Sequence, residues 1–179
     1  MAEIEYRNLF LCDYIEQNSV KEIIEKILKI NDDDEKKEKE YKEFKREPIM
    51  LLINSFGGSV YDGLSLIDVI ERSKTPVFTI CVGSAMSMAL LIFLSGQKRF
   101  IGKNATLMFH DVTTYVWDKT ETIKQVLDEA LRLQNLLIKN ITSKTTIAES
   151  KLRDYINRKA EWYITPDEAI KFGLAHDYY

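Results

Sequence analysis

Ile49-Met-Leu-Leu-Ile-Asn-Ser-Phe-Gly-Gly-Ser-Val60 passes from five apolar residues through a polar turn with a double glycine into a helical pattern. An apolar run this short, bounded by turn residues, reads as a strand buried on both faces. In the helix that follows, Val60, Leu64, Ile67 and Ile70 share one side. The same order recurs downstream: Val77-Phe-Thr-Ile-Cys-Val82 is strand-like, Gly83 punctuates it, and Met86–Leu94 has helix-forming composition. Strands alternating with helices imply a mostly parallel sheet covered on both faces. Pro76–Gln97 carries no charge, yet its change of character halfway reads as buried strand, turn and buried helix, not as one membrane span.

Upstream, Asn8–Cys12 reads as a short strand, and Ser19-Val-Lys-Glu22 as a capping box opening a helix with Val20, Ile23, Ile24, Ile27 and Leu28 on one face. In Asp32–Glu47 only Tyr41 and Phe44 are uncharged, the pattern of a solvated loop or helix extension, or alternatively of an acidic docking surface. Downstream, a strand over Ala105–Phe109 runs into His110. Thr120–Lys144 then forms a helix whose apolar positions (123, 126, 127, 130, 131, 133, 136, 137, 138 and 141) make a stripe too broad for one core, which points to burial against another subunit. Thr146-Ile-Ala-Glu149 reads as a second capping box. Thr165-Pro-Asp-Glu168 opens a last helix, with Gly173 beyond its end.

The whole chain of 179 residues reads as one domain. A net charge of −3 argues against a nucleic-acid partner. Cys12 and Cys81 lack CxxC spacing, so neither a disulfide framework nor a thiolate zinc site is expected, and a reducing compartment, the cytoplasm, is. Met1–Tyr6 is acidic and lacks the basic start and apolar core of a signal peptide.

Chemistry can gather at the two glycine-punctuated strand-to-helix turns, Gly57-Gly58 and Gly83–Met88. A serine at a helix start lies where a developing oxyanion is stabilised. It needs a base, usually His, oriented by a carboxylate. His110 ends a strand, on the side where parallel-sheet sites collect. On spacing alone, Ser87 reads first as a helix serine bonded to a carbonyl one turn back, and His110 as a core histidine, with a serine hydrolase as the second reading.

Taken in order, Ile53-Asn-Ser-Phe-Gly-Gly-Ser-Val60, Asp62-Gly-Leu64, Gly83-Ser-Ala-Met-Ser-Met-Ala89, Met108-Phe-His110, Thr165-Pro-Asp-Glu-Ala169 and Phe172-Gly-Leu174 resemble the proteolytic subunits of Clp proteases. The similarity runs from about Arg7 to Ala175. It implies an α/β fold, the ββα superhelix shared with crotonases, with a C-terminal helical handle over about 120–144 through which heptameric rings stack in pairs. It implies a self-compartmentalising serine endopeptidase with Ser87 as nucleophile, His110 as general base, and Gly58 and Met88 N–H groups as oxyanion hole. Gly57, Ser59, Val60 and Val112 would line an extended polypeptide substrate added as a strand. No metal or organic cofactor is implied.

Where the family carries its third catalytic residue, usually an aspartate before an aromatic pair, this register places Glu161, before Trp162-Tyr163; Asp111 and Asp154 are the alternatives. Asp111-Val-Thr-Thr-Tyr-Val-Trp117 lacks the family's usual glycines, which suits a stiffer strand for substrate or a different ring contact. Only about six residues precede the first strand, so the family's N-terminal loop toward an AAA+ unfoldase looks largely absent. The competing expectations are a capsid-maturation peptidase of tailed phages, a catalytically silent ring subunit or assembly protein, and crotonase-like acyl-CoA chemistry, which needs no Ser87–His110 pair.

Overall fold

In the computed structural model, which describes residues 7–179, the chain runs β1 (Asn8–Leu11), α1 (Gln17–Glu40), β2 (Ile49–Ser55), α2 (Val60–Arg72), β3 (Val77–Met86), α3 (Met88–Leu94), β4 (Lys98–Ile101), β5 (Thr106–Phe109), α4 (Thr120–Lys144), α5 (Glu149–Asn157), β6 (Trp162–Ile164), α6 (Pro166–Lys171) and β7 (Asp177–Tyr178). The sheet has the order β1-β2-β3-β4-β7, with β5 paired to β3 and β6 to β5. All these pairs are parallel except β5–β6. The expected α/β architecture is present. Expectations about a signal segment and a shortened N-terminal loop fall on residues 1–6, outside the described residues.

The longest strand, β3, decides where the site lies. Its first half, Phe78–Cys81, pairs with β4, and its last residues, Ser84–Met86, pair with β5. Between them stands Gly83 at φ +78. A Cβ there would lie 2.6 Å from Asn54 Oδ1, the atom that accepts hydrogen bonds from the Ser84 N–H (3.1 Å) and hydroxyl (3.2 Å). Gly83 is therefore not the strand-ending turn expected from the sequence. It is a bulge that bends the strand and lets it continue to Met86, with the β2–β3 register shifting at the same level. The turn into α3 comes at Ser87. All seven residues of α3 are buried, so the uncharged stretch is interior, and no described helix is long and apolar enough to cross a membrane.

α1 begins two residues before the expected cap. Glu16 is its N-cap, and Ser19 serves at the third helical position, its hydroxyl accepting from the Glu16 N–H at 3.1 Å. Leu28 lies 52% exposed, and the buried stripe instead runs through Val20, Ile23, Ile27 and Ile30 to Asp34. That aspartate, in the middle of the charged run, is fully buried. Arg7 grips it through both terminal guanidinium nitrogens, and the Thr75 hydroxyl donates to it at 2.7 Å. Burial works to raise its pKa, but the bonds from Arg7 and Thr75 outweigh that and hold it below the ordinary carboxylate value. The run thus extends the helix to Glu40 and ties β1 to the body of the protein.

The long helix α4 has the expected bounds. Leu133, Leu137, Ile138 and Ile141 are buried in its C-terminal half, whereas Ile123, Leu127 and Leu131 are exposed. Residues 111–119 form no strand. The second capping box is absent: α5 opens at Glu149 behind Ala148, and Thr146 instead donates its hydroxyl to the Phe172 carbonyl at 3.1 Å. The Thr165–Glu168 box of α6 is present, with Pro166 at its first position.

Candidate active site

Ser87 joins β3 to α3 with φ 54 and ψ −124, a region that costs a non-glycine residue about 1–3 kcal/mol. Both sides enforce it. The Ser87 N–H donates to the Met108 carbonyl of β5 at 2.9 Å, and its carbonyl accepts from the Leu90 N–H at 3.1 Å. The side chain is thereby pushed out of the sheet at the start of a buried helix. Because Met86 pairs with Met108, His110 emerges beside it just after β5. Its Nε2 lies 2.7 Å from Ser87 Oγ. When the other ring nitrogen carries the proton, Nε2 is free to accept from the hydroxyl.

The double glycine lies against this pair. A Cβ on Gly57 (φ +103) would stand 2.8 Å from Ser87 Cβ and 3.2 Å from Met88 N, and one on Gly58 (φ +153) 2.3 Å from the Ile15 carbonyl oxygen. Neither position has room for a side chain. Ile15 donates its N–H to the Gly57 carbonyl and accepts from the Ser59 N–H. In such a bridge the central residue's own N–H points the other way, which turns the Gly58 N–H from Ile15 toward the opposite edge. Met88, first residue of α3, presents an N–H that a helix leaves without an intrahelical carbonyl.

A cavity of about 270 Å³ opens here, lined by Ser87, His110, Gly58, Met88, Val60 and Val112 among the expected residues. Gly57 and Ser59 do not line it. Gly57 lies beneath the serine, and the Ser59 hydroxyl caps α2 by accepting from the Asp62 N–H at 3.4 Å. Tyr14, Phe56, Asp111 and Thr113 also face the cavity. Phe56 lay inside the glycine motif, but nothing in the sequence pointed to Tyr14, which β1 brings in from 73 positions away.

Glu161 is placed differently from expectation. The antiparallel register Met108↔Tyr163, Phe109↔Trp162 carries it opposite His110, yet its exposed carboxylate accepts from the Tyr163 hydroxyl at 2.5 Å. The His110 ring bonds only to Ser87 among the described residues. Asp154 pairs with Arg158 at 2.7 Å. Among the described residues, one oxygen of Asp111 is buried without a hydrogen-bond partner. His176 is engaged elsewhere, its Nδ1 accepting from the Arg99 N–H at 3.0 Å. Among the described residues no group of His, Cys, Asp and Glu could hold a metal ion.

The sequence matches the Clp protease family over residues 2–178. It is 31% identical over 173 residues to ATP-dependent Clp protease proteolytic subunit 1 of Prochlorococcus marinus (strain NATL2A), covering 94% of this chain and 81% of that one. To the ATP-dependent Clp protease proteolytic subunit of Deinococcus radiodurans it is 33% identical over 130 residues, 72% of this chain and 63% of the relative. To subunit 2 of Synechococcus sp. (strain CC9605) it is 29% identical over 170 residues, 94% and 80% of the two chains.

Proposed function

The chain belongs to the Clp protease family and is a serine endopeptidase, and we propose that Ser87 is its nucleophile and His110 its general base. The observation that carries this reading is the 2.7 Å contact between His110 Nε2 and Ser87 Oγ on a strained strand-to-helix elbow. As Oγ attacks the scissile carbonyl, Nε2 takes its proton and later returns it to the leaving amine. The carbonyl oxygen, now an oxyanion, is held by the N–H groups of Gly58 and Met88. Water then releases the acyl group by the same steps in reverse.

Glu161 is the acid we assign to this pair. Residues directly opposite in an antiparallel ladder project to the same face with Cβ atoms about 4.5–5.5 Å apart, and Tyr163, two positions along, shares that face. The Glu161 carboxylate therefore chooses between the Tyr163 hydroxyl and the second nitrogen of His110 by rotating its own side chain. On His110 it would fix the tautomer that leaves Nε2 free.

The substrates are polypeptides entering as extended strands beside Gly58–Val60 and Val112. The enzyme works in the cytoplasm as a ring-forming oligomer, heptameric rings stacked in pairs. A fluorophosphonate probe tests the chemistry: it should label Ser87 in the parent and nothing in Ser87→Ala. Labelling that survives the substitution, or a parent that neither labels nor cleaves an unstructured peptide, overturns the reading.

A further inference from the structure

The strand β7 is held to the sheet partly by a side chain. It pairs in parallel with β4, Phe100 with Asp177 and Ile101 with Tyr178. The His176 N–H donates to the Arg99 carbonyl at 2.8 Å, and the Tyr179 N–H to the Ile101 carbonyl at 2.9 Å. The Arg99 N–H, in contrast, donates to Nδ1 of the His176 ring at 3.0 Å. One rung of the ladder is therefore an imidazole. A ring nitrogen accepts a hydrogen bond only while it carries no proton, so acid can remove this rung and leave the backbone ones unaltered.

The surroundings make a proton on that ring unwelcome. Partial burial, then the charges of Arg99 and Lys98 on β4, hold the imidazole below the ordinary histidine value of 6.5. The Arg99 guanidinium is itself buried and donates to carbonyls, those of Leu174 (2.7 Å), Gly173 (2.9 Å) and Lys144 (3.3 Å). Its charge is thus not neutralised by a carboxylate. Asp177, the next residue, accepts the Tyr178 N–H at 2.8 Å, and Asp167 on α6 accepts the Tyr178 hydroxyl. Lys144, at the end of α4, pairs with Glu71. A protonated His176 would lose its bond to the Arg99 N–H and add a third positive charge beside two others. His176 to Tyr179 are all exposed, so protons reach the ring freely and little buried surface holds the strand once the rung fails.

We propose that His176 is a proton-operated latch: protonating its ring releases β7 from β4 and uncovers that edge of the sheet while the rest of the fold stays closed. The closed form binds the proton less well than the open form. The latch is therefore complete above the open-form value of 6.5 and is lost as pH falls through the lower closed one. An uncovered β4 edge presents unpaired N–H and carbonyl groups to any strand that arrives.

The test is hydrogen–deuterium exchange by mass spectrometry on the whole assembled protein, corrected for the intrinsic pH dependence of exchange. Peptides carrying Arg99 and His176–Tyr179 should lose protection on the order of tenfold or more between about pH 7.5 and about pH 5. Those of β2 should not. His176→Asn supplies an acceptor oxygen that does not titrate, and should keep β7 protected in acid. His176→Leu supplies none, and should leave β7 weakly protected at both pH values. Protection of the parent's β7 that does not change with pH overturns the proposal, and this arm stands whether or not the variants fold. So does a His176→Asn protein that opens over the same interval as the parent, since another group would then be titrating. A β2 that loses protection together with β7 overturns it as well, because acid would then be opening the whole protomer.

Discussion

Ser87 holds a backbone conformation suited to glycine, and the protein keeps a serine there at a cost of about 1–3 kcal/mol. Two substitutions separate that strain from the chemistry. Ser87→Ala retains the strain and removes the hydroxyl, so peptide hydrolysis should fall by on the order of 10⁴-fold or more with the melting temperature nearly unchanged. Ser87→Gly should be as inactive yet melt higher, because glycine adopts positive φ without penalty. A Gly variant that melts below the Ala variant would show that the elbow is not strained. At Glu161 the competition is with Tyr163, whose hydroxyl bond to the carboxylate also raises the phenol's pKa. Loss of an exposed bond of this kind shifts the carboxylate's population toward its other partner by roughly fivefold at most. Tyr163→Phe should therefore raise kcat by up to about fivefold with KM unchanged, and Glu161→Gln should lower it by up to about 10⁴-fold. If Tyr163→Phe leaves kcat where it was, the hydroxyl does not compete for the acid.

Among the elements, α1 makes the least obvious contribution, because its buried Asp34 is held by Arg7, 27 positions upstream of it, and by Thr75. Removing one partner of a buried pair costs about 3–5 kcal/mol, so Asp34→Asn should lower the unfolding free energy at pH 7 by that order in urea titrations. The sign of the pH dependence follows from its depressed folded pKa. The stabilisation is complete above the unfolded value of 3.8 and is lost as pH falls through the lower folded one. Parent and variant should converge in strong acid; a gap that stays constant to pH 2 would mean that packing, not charge, is what the substitution removed. This aspartate could not be read from the sequence, since a run of mixed charges gives no sign of a partner so distant. Local signals fared unevenly for the same reason. The Thr165 box and the α4 bounds were legible because propensity, capping and stripe agreed. Ser19 and Thr146 were misread because a Ser/Thr-x-x-Glu pattern does not say which residue the helix takes as its cap. Gly83 was misread as a turn because positive φ serves a bulge as well as a strand end. The Ser87–His110 pairing was anticipated only through ordered motifs, since periodicity does not reveal that β5 lies beside the far end of β3.

For the whole molecule, the question is what covers the first half of α4. Ile123, Leu127 and Leu131 are 41%, 53% and 51% exposed, while the second half of the same helix is buried against its own core. Just before it, Tyr115 and Trp117 are 92% and 93% exposed in a segment without strand pairing. Apolar surface gathered on one projecting element is rarely left in water. A second copy presenting the same surface would cover it by isologous contact. The site depends on this too, because residues 111–113 line the cavity and lead directly into that segment. Leu127→Asp combined with Leu131→Asp should therefore dissociate the assembly in sedimentation velocity while leaving the protomer folded by circular dichroism, since both side chains are exposed in the protomer. Peptide hydrolysis should fall together with the assembled fraction, and raising the protein concentration should restore both. An assembly that tolerates both aspartates would place the interface elsewhere. A dissociated protomer with full activity would show that the cavity walls need no neighbour.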